Sequence, residues 1–175
     1  MQEIYARARN IRVAAFDVDG VLTDGSLYYA DSGEEMKAFD VRDGHGLRML
    51  KDHGVAVAII TSRNARCVGE RARNLGIELL FQGVADKLSA FRELMGRCGV
   101  GPAACAFAGD DILDLPVLQR CGLAATVANA PASIRRAAHY VTRARGGQGA
   151  ARELCELILY AQGSSATRLA ETDAK

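Results

Sequence analysis

Two aspartates separated by one residue, Asp17 and Asp19, follow directly after the apolar run Val13–Phe16. The run predicts a buried strand, and Gly20 lets the chain turn away after it. Two carboxylates at the end of a buried strand are costly to hold without a counter-cation or a shared proton. A magnesium site would supply the cation, because Mg²⁺ prefers oxygen ligands and often takes one or two carboxylates with water and substrate phosphate. The pair also suits chemistry in which one carboxylate attacks the substrate and the other moves protons.

Polar side chains also follow the later apolar runs of the chain. They are Thr61-Ser62-Arg63, Asp86-Lys87, Asp110-Asp111 and Asp114. Each has a plain structural explanation when taken alone: the hydroxyls can cap a helix, Lys87 can be solvated, and the aspartates can face a helix N-terminus. Because the carboxyl ends of parallel strands meet at one edge of a sheet, their joint occurrence favours one catalytic site.

The elements that must position these residues alternate regularly along the chain. Strands are predicted at 12–17, 55–60, 79–82, 104–108, 124–128 and 140–142, with helices at 44–53, 64–75, 86–98, 111–121, 131–138 and 150–161. The strands are uniformly apolar rather than alternating, which indicates that both faces of the sheet are covered. The pattern predicts an α/β fold with a doubly wound, mainly parallel sheet, in which ligands bind beyond the carboxyl ends of the strands.

Residues 25–40 interrupt the alternation. Ser26–Tyr29 and Met36–Phe39 flank a turn-rich stretch, so this insertion is predicted to be a β-hairpin. A lone hairpin is marginal in water and has open edges, so it pairs with another subunit or folds onto its own domain. We expect a single domain over residues 1–162 and a flexible, polar tail over residues 163–175.

The composition argues against several classes of protein. The chain has 175 residues, a net charge of +1 and no cluster of lysine and arginine, which argues against nucleic-acid binding. No apolar run approaches the roughly 20 residues of a membrane span, and the first residues lack the apolar stretch of a signal peptide. The five cysteines contain no CxxC pair and fit reduced thiols. We therefore expect a cytoplasmic protein with neither a nucleic-acid nor a membrane partner.

The combined motifs resemble the haloacid dehalogenase superfamily, whose hallmarks are DxD, a Thr or Ser after the second strand, a Lys, and a late acidic motif. The resemblance covers residues 11 to about 161, and all four motifs occur in order. The segments DVDGVLTDG, KAFDVRDGHGLRML, IITSR, QGVADK, GDDILDLPV and YVTRARGGQGAARE resemble, more narrowly, the 3-deoxy-D-manno-octulosonate 8-phosphate phosphatase family. One departure is Ser62, where glycine is expected in this family.

The resemblance implies a phosphatase that works through an aspartyl phosphate. It implies that Asp17 is the nucleophile and that Asp19 protonates the leaving oxygen and then activates water. By the same resemblance Thr61 would donate a hydrogen bond to the phosphoryl group, and Lys87 would place a positive charge beside it. These roles agree with the general needs of phosphoryl transfer.

The resemblance also implies a Mg²⁺ cofactor. Its ligands would be the Asp17 carboxylate, the backbone carbonyl of Asp19, and Asp110, with waters completing the shell. Asp111 and Asp114 would either bind the metal directly or support its ligands, and the sequence leaves both possibilities open.

The implied substrate is a sugar acid phosphate from lipopolysaccharide biosynthesis, with a phosphate at one end and a carboxylate at the other. Such a molecule calls for cations, preferably arginine. The substrate-binding residues implied in this way are Asp19, Asp40, Val41, Arg42, Asp43, Gly44, Arg48, Arg63, Arg71 and Lys87. Arg48 and Arg71 can equally lie on solvated helix faces.

The two gaps between the motifs are too short to hold a cap domain, so a neighbouring subunit is expected to restrict the site. The resemblance implies a homotetramer with hairpins gathered at its centre and a C-terminal tail that reaches a neighbour's site. The glycine-rich run 146–149 is either a mobile hinge, which the resemblance favours, or the lead-in to a helix.

Two alternatives remain open on the residues. The first is the same chemistry on a nine-carbon ulosonic acid 9-phosphate, whose phosphatases share the capless architecture and similar motifs. The second is a phosphoacceptor signalling domain of the receiver type, which also combines an acidic cluster, a Thr or Ser and a Lys on a doubly wound sheet. The acceptor aspartate of a receiver follows a later, central strand, whereas Asp17 follows the first strand.

Overall fold

The structure is a computed structural model and describes residues 1–164 of the chain. Its main sheet has six strands: β1 (Val13–Phe16), β4 (Ala56–Ile60), β5 (Leu79–Phe81), β6 (Cys105–Ala108), β7 (Leu123–Thr126) and β8 (Tyr140–Val141). Their order across the sheet is β5-β4-β1-β6-β7-β8, and every pairing is parallel. The predicted doubly wound α/β fold is confirmed, and residues 165–175 of the predicted tail lie outside the described chain.

Helices cover both faces of this sheet. They are α1 (Gln2–Arg9), α2 (Val41–Asp52), α3 (Arg66–Leu75), α4 (Lys87–Cys98), α5 (Leu115–Leu118), α6 (Ala132–Ala137) and α7 (Ala150–Ala161). On one face α7 packs between α1 and α2, and α3 packs beside α2; on the other face α5 packs between α4 and α6. The strands are buried between these two layers, as their unbroken apolar sequences predict.

Two helical regions differ from the prediction. The sequence pattern predicts no helix at the N-terminus, yet α1 forms there; Ala8 is its one buried residue, so its apolar pattern is too weak to detect. The predicted helix 111–121 is a 3₁₀ turn, Ile112–Asp114, followed by the short helix α5. Asp111 caps that turn through a reciprocal capping box with Asp114.

The sheet has one position where its connections diverge. The chain leaves β1 toward β4 on one side, and it leaves β6 toward β7 on the other. A crevice therefore opens between the carboxyl ends of β1 and β6, which is where doubly wound sheets bind ligands. The backbone N–H of Asp17 donates to the carbonyl of Ala108 at 2.9 Å, so Asp17 lies in this crevice.

The hairpin forms a separate two-stranded sheet, with β2 (Tyr28–Tyr29) antiparallel to β3 (Glu35–Met36). Strand β3 lies against α3 of the same chain. Four apolar side chains of the hairpin nevertheless remain exposed, between 37% for Leu27 and 60% for Tyr29, whereas Phe39 is half-buried against the core. None of the helices in residues 1–164 has both the length and the apolar character that a membrane crossing needs.

Candidate active site

Three charged side chains are buried together in the crevice. Asp17 and Lys87 are each 5% exposed, and Asp114 is completely buried. The Lys87 ammonium lies 3.0 Å from Asp17 Oδ2 and 2.6 Å from Asp114 Oδ1. Lys87 is the first residue of α4, whose N-cap Asp86 accepts the backbone N–H of Leu88 at 2.9 Å. The structure therefore directs Lys87 into the site rather than into solvent.

Burial and the repulsion between neighbouring carboxylates shift the pKa values of the charged groups in the crevice. Burial, and next the charge of Asp114, raise the pKa of Asp17 to about 7, although Lys87 opposes this increase. Burial also raises the pKa of Asp110 to about 6, with Asp114 and Asp111 adding repulsion. Burial alone would lower the pKa of Lys87, but Asp17 and Asp114 outweigh it and raise that pKa above its usual value. Lys87 therefore stays charged but does not neutralise the cluster.

The carboxylates of the cluster are placed to hold a divalent cation. Asp17, Asp110 and Asp114 each have an oxygen within 4.8 Å of the others. Asp110 Oδ1 is buried and has no hydrogen-bond partner among the described residues. An unpartnered buried carboxylate oxygen is costly, and an oxygen-preferring cation such as Mg²⁺ would satisfy it. The donor set therefore fits such an ion.

Asp114 supports the site rather than facing it. Its Oδ1 binds Lys87, and its Oδ2 accepts the backbone N–H groups of Asp110 and Asp111, each at 3.0 Å. Asp111 is exposed, and its own carboxylate accepts the N–H of Ile112 at 2.6 Å. Asp17 and Asp110 are thus the carboxylates left with oxygens for a metal, which favours the supporting role for Asp114.

The turn after Asp17 brings the DxD loop against Asp110. Gly20 has φ of +90°, in the left-handed region that side-chain-bearing residues rarely adopt. A Cβ on Gly20 would also overlap the Asp110 carboxylate. The glycine after the second aspartate is therefore needed both for the turn and for the metal-binding geometry.

Asp19 faces two cations at the mouth of the site. Its side chain is 23% exposed, and Oδ1 accepts a hydrogen bond from the Lys37 ammonium. Arg63 Nε lies 3.9 Å from Asp19 Oδ2. Lys37 also contacts Glu35 Oε1 at 2.9 Å, and Glu35 Oε2 accepts a hydrogen bond from Arg63 at 2.7 Å.

Lys37 and Glu35 are absent from the predicted site. The signal available in the sequence is their spacing, because residues two apart on a strand lie on one face. Opposite charges on one face of a hairpin next to a DxD loop indicate an ion pair. Only the fold shows that Lys37 is buried and that it also donates to Asp19.

Thr61 is buried at the carboxyl end of β4, next to β1 in the sheet. Its backbone N–H donates to the carbonyl of Phe81 at 2.9 Å, and within residues 1–164 its hydroxyl oxygen accepts only a long, 3.4 Å bond from the N–H of Arg63. The hydroxyl hydrogen is therefore available to a ligand. No residue other than glycine has a positive φ in the described chain, so Ser62 adopts an ordinary backbone conformation where the family resemblance favours glycine.

The N-terminus of α2 carries several of the residues predicted to bind substrate. Asp40 caps the helix by accepting the N–H of Arg42 at 2.7 Å, and it pairs with the Arg42 guanidinium. Val41 is 81% exposed. Gly44 is buried against the Arg71 guanidinium, which donates to the Asp40 carbonyl at 3.1 Å. These residues form one ordered corner beside the hairpin, and their role in substrate binding stays a prediction.

Two other predicted substrate residues are engaged elsewhere within the chain. Asp43 is 2% exposed and accepts the N–H of Arg152 at 2.7 Å, so it caps the N-terminus of α7. Arg48 donates to the carbonyl of Asn74 at 2.7 Å, near the end of α3 that points away from the catalytic edge. The structure does not bring these two side chains to the crevice, whereas it brings Asp19, Arg63 and Lys87 there.

The glycine-rich run 146–149 packs against the catalytic loop. The N–H of Gly147 donates to the carbonyl of Val21 at 2.9 Å, and the N–H of Gly146 donates to Asn129 Oδ1 at 3.0 Å. A Cβ on Gly146 would overlap the carbonyl oxygen of Gly20. Gly149 is the N-cap of α7. In the structure the run is a close-packed lead-in to α7, and the hinge that the resemblance favours stays a prediction.

The raised carboxylate pKa values predict that the metal-free protein becomes less stable to unfolding as pH rises. In the folded chain the pKa is about 7 for Asp17 and about 6 for Asp110, and both values lie above the ordinary 3.8. The folded chain therefore binds these protons more tightly than the unfolded chain does. This proton binding stabilises the fold at low pH, and the stabilisation is lost as pH rises through the two folded pKa values. In EDTA the free energy of unfolding should fall by about 2 kcal/mol or more between about pH 5 and pH 8, because a tenfold difference in proton affinity between the folded and unfolded chain corresponds to roughly 1.4 kcal/mol. Urea unfolding at both pH values measures this change.

Asp110→Asn should reduce this fall in the free energy of unfolding between about pH 5 and pH 8, because the amide cannot ionise. Asp31→Asn removes an exposed charge from the turn of the hairpin and serves as the matched control with the parent's pH dependence. Stability in EDTA that is unchanged or rises with pH would contradict the prediction.

Comparison with known proteins gives concordant results. A family model for haloacid dehalogenase-like hydrolases matches residues 40–122. The 3-deoxy-D-manno-octulosonate 8-phosphate phosphatase KdsC of Yersinia pestis is 49% identical over 160 residues, which cover 91% of this chain and 86% of the relative. KdsC of Escherichia coli K12 is 47% identical over 161 residues, covering 92% and 86%.

Solved structures agree with these relatives. The crystal structure of the Moraxella catarrhalis 3-deoxy-D-manno-octulosonate 8-phosphate phosphatase, in complex with magnesium, phosphate and a KDO molecule, superimposes with a TM-score of 0.93. It is 43% identical and covers 98% of this chain and 99% of that one. The similarity thus spans the sheet, the hairpin and the acidic crevice together.

Proposed function

Because the chain belongs to the 3-deoxy-D-manno-octulosonate 8-phosphate phosphatase family of haloacid dehalogenase-like hydrolases, we propose that it hydrolyses 3-deoxy-D-manno-octulosonate 8-phosphate with Mg²⁺. The observation that carries the proposal is the buried cluster at the sheet's switch point. There one carboxylate lies 3.0 Å from a buried ammonium and within 4.8 Å of a second, unpartnered carboxylate. That arrangement suits attack on a phosphate dianion beside a metal.

The first half of the reaction transfers the phosphoryl group to the protein. An Asp17 carboxylate oxygen attacks phosphorus, and the bond from phosphorus to the sugar oxygen breaks. Asp19, in its protonated form, gives its proton to the departing sugar oxygen. Lys87 and the Thr61 hydroxyl face the phosphoryl oxygens, where they offset the negative charge. Asp17, Asp110 and the backbone carbonyl of Asp19 would hold Mg²⁺, which would supply further charge neutralisation.

The second half returns the protein to its starting state. Asp19 takes a proton from water as the water oxygen attacks phosphorus, and the bond from phosphorus to Asp17 breaks. Inorganic phosphate leaves, Asp17 is again a carboxylate, and Asp19 is again protonated. Asp114 takes no part in bond making, because both of its oxygens are occupied by Lys87 and backbone N–H groups.

The surroundings of the site suggest where the rest of the substrate lies. Arg63 is the predicted substrate-binding arginine nearest to Asp19, and it is suited to the sugar or its carboxylate. The α2 corner of Asp40, Val41, Arg42 and Gly44 borders the same mouth. Within one chain the side chains of Asp43, Arg48 and Arg71 bind other backbone groups, so we propose that they shape the surroundings of the α2 corner rather than contact the substrate.

The assembly and location follow from the same proposal. No cap domain covers the crevice within residues 1–164, and the exposed apolar hairpin offers a surface for other copies. We propose a homotetramer with the hairpins at its centre, working in the cytoplasm in lipopolysaccharide biosynthesis. A receiver-type signalling role is not retained, because the family membership and an acid/base group beside Asp17 both favour turnover.

Phosphate release from a panel of sugar acid phosphates tests the function. The eight-carbon 8-phosphate should be hydrolysed with the highest kcat/KM, and EDTA should abolish turnover until Mg²⁺ is restored. The nine-carbon ulosonic acid 9-phosphate is the decisive comparison, since it carries the same end groups on a longer chain. A higher kcat/KM for the nine-carbon compound would transfer the assignment to it, and no release from either would overturn the proposal.

A further inference from the structure

We propose that Lys37 is a positioning residue for Asp19, and that the hairpin thereby sets the orientation of the acid/base group. This inference rests on the proposed phosphatase function. It concerns a residue to which the motifs assign no role: Lys37 begins the segment KAFDVRDGHGLRML, at the end of the hairpin and 18 residues along the chain from Asp19.

The contact between the two side chains is direct and enclosed. The Lys37 side chain is 0% exposed, although it belongs to a hairpin whose outer face is open to solvent. Its ammonium donates to Asp19 Oδ1. Among residues 1–164, no other side chain makes a hydrogen bond to the Asp19 carboxylate, since Arg63 approaches only to 3.9 Å. The orientation of this carboxylate therefore depends on Lys37.

A second carboxylate keeps Lys37 in place. Glu35 Oε1 lies 2.9 Å from the Lys37 ammonium, and Glu35 Oε2 accepts hydrogen bonds from Arg63 at 2.7 Å and from the Tyr29 hydroxyl at 3.2 Å. Glu35 lies in β3 with Tyr29 as its cross-strand partner, and Lys37 is the first residue after that strand. The hairpin thus holds the ammonium through charge pairs on both sides, so a long and intrinsically flexible side chain is confined to one position.

The geometry favours positioning over substrate binding. Asp19 and Glu35 both contact the Lys37 ammonium, and its side chain has no exposed surface for a third, larger partner. Asp19 must meet the leaving oxygen and then the attacking water at the same place. A carboxylate free to rotate would spend less time in that geometry, which lowers the rate of both proton transfers without weakening substrate binding.

Steady-state kinetics on Lys37→Met test the proposal, because methionine keeps the length and apolar stem but removes the charge. We expect kcat to fall by about 10- to 100-fold, part of the roughly 10²–10⁴-fold that positioned acid/base groups supply, with KM changed less than about threefold. Lys37→Arg should recover part of the loss. Glu34→Gln, an exposed charge on the same hairpin, is the matched control and should retain the parent's kcat.

A double-mutant cycle separates positioning from a general structural effect. Because Lys37 acts through Asp19, Lys37→Met should have no further effect on single-turnover rates in an Asp19→Asn background. If Lys37→Met does not fold, Glu35→Gln takes its place in the cycle, because it removes the charge that holds Lys37 in position. An equal loss in both backgrounds, or a raised KM with unchanged kcat, would overturn the inference. An inactive parent would instead overturn the proposed function.

Discussion

Asp17→Asn is expected to lower phosphate release by about 10⁴-fold or more, because the variant lacks the oxygen nucleophile on which the aspartyl phosphate forms. Among residues 1–164, no neighbouring carboxylate is placed to replace it. Both oxygens of Asp114 are occupied, and Asp110 lies on the neighbouring strand end with its free oxygen facing the cluster. The loss should appear in kcat, measured as phosphate release over long incubations at high enzyme concentration.

The same variant should not lose stability. Asp17 is 5% exposed with its pKa raised to about 7, so removing its charge relieves repulsion in the metal-free crevice. A thermal melt therefore distinguishes a chemical defect from a folding defect. Turnover within about tenfold of the parent would contradict the assignment of Asp17 as nucleophile.

Asp24→Asn is the matched control for this variant. Asp24 lies at the end of the same loop but is exposed, and its Oδ1 accepts the N–H of Ser26 at 2.8 Å. Asparagine retains that acceptor, so the variant should keep the parent's turnover. Acid-quenched parent enzyme should also carry the mass of one added phosphoryl group, which Asp17→Asn should lack.

Gly146→Ala is expected to disrupt the site from a distance in sequence. A Cβ at this position would overlap the carbonyl oxygen of Gly20 and approach the carbonyl oxygen of Thr23 at 3.1 Å. Both are backbone atoms of the catalytic loop, so no side-chain rotation relieves the overlap. Overpacking of this kind typically costs about 1–3 kcal/mol, and we expect the upper end of that range.

The displaced loop should also lower activity, because it carries Asp19 and the turn that meets Asp110. Thermal melts should show a decrease of about 6–12 °C, using roughly 2–4 °C per kcal/mol for a chain of this size. Phosphate release below the melting temperature should fall by more than the fraction of unfolded protein accounts for.

Gly96→Ala provides the control for a glycine substitution. Gly96 lies within α4, and an added Cβ meets no atom within 4 Å. Alanine favours a helix over glycine by up to about 1 kcal/mol, so this variant should be as stable as the parent or more stable. Equal melting temperature and kcat for Gly146→Ala and the parent would contradict the packing that the structure shows.

The sheet was predictable because its signals are local. Each of the six strands is a short apolar run, and the observed bounds fall within two residues of the predicted ones. The convergence of Asp17, Thr61, Lys87 and Asp110 followed from topology, since parallel strands place their carboxyl ends at one edge. Comparison with known proteins then supports the family that these motifs indicated.

The partners of individual side chains were not predictable in the same way. Sequence spacing shows which face of an element a residue occupies, but not which other element it meets. Asp114 had several possible roles until the structure showed its contacts with Lys87 and two backbone N–H groups. Asp43 was placed near the substrate by its motif, yet it caps a helix more than 100 residues later in the chain.

The contact between the glycine run 146–149 and the catalytic loop has a consequence for synthesis. The ribosome makes Asp17 and Asp19 early, and Asp110 has also been made before the segment that packs on their loop. Every nascent chain that ends before residue 146 but after Asp114 therefore carries a complete set of catalytic side chains on an unsupported loop. The order of the catalytic loop thus depends on a segment made after all of these residues, so chains terminated before residue 146 would carry the reactive side chains without the contacts that hold their loop.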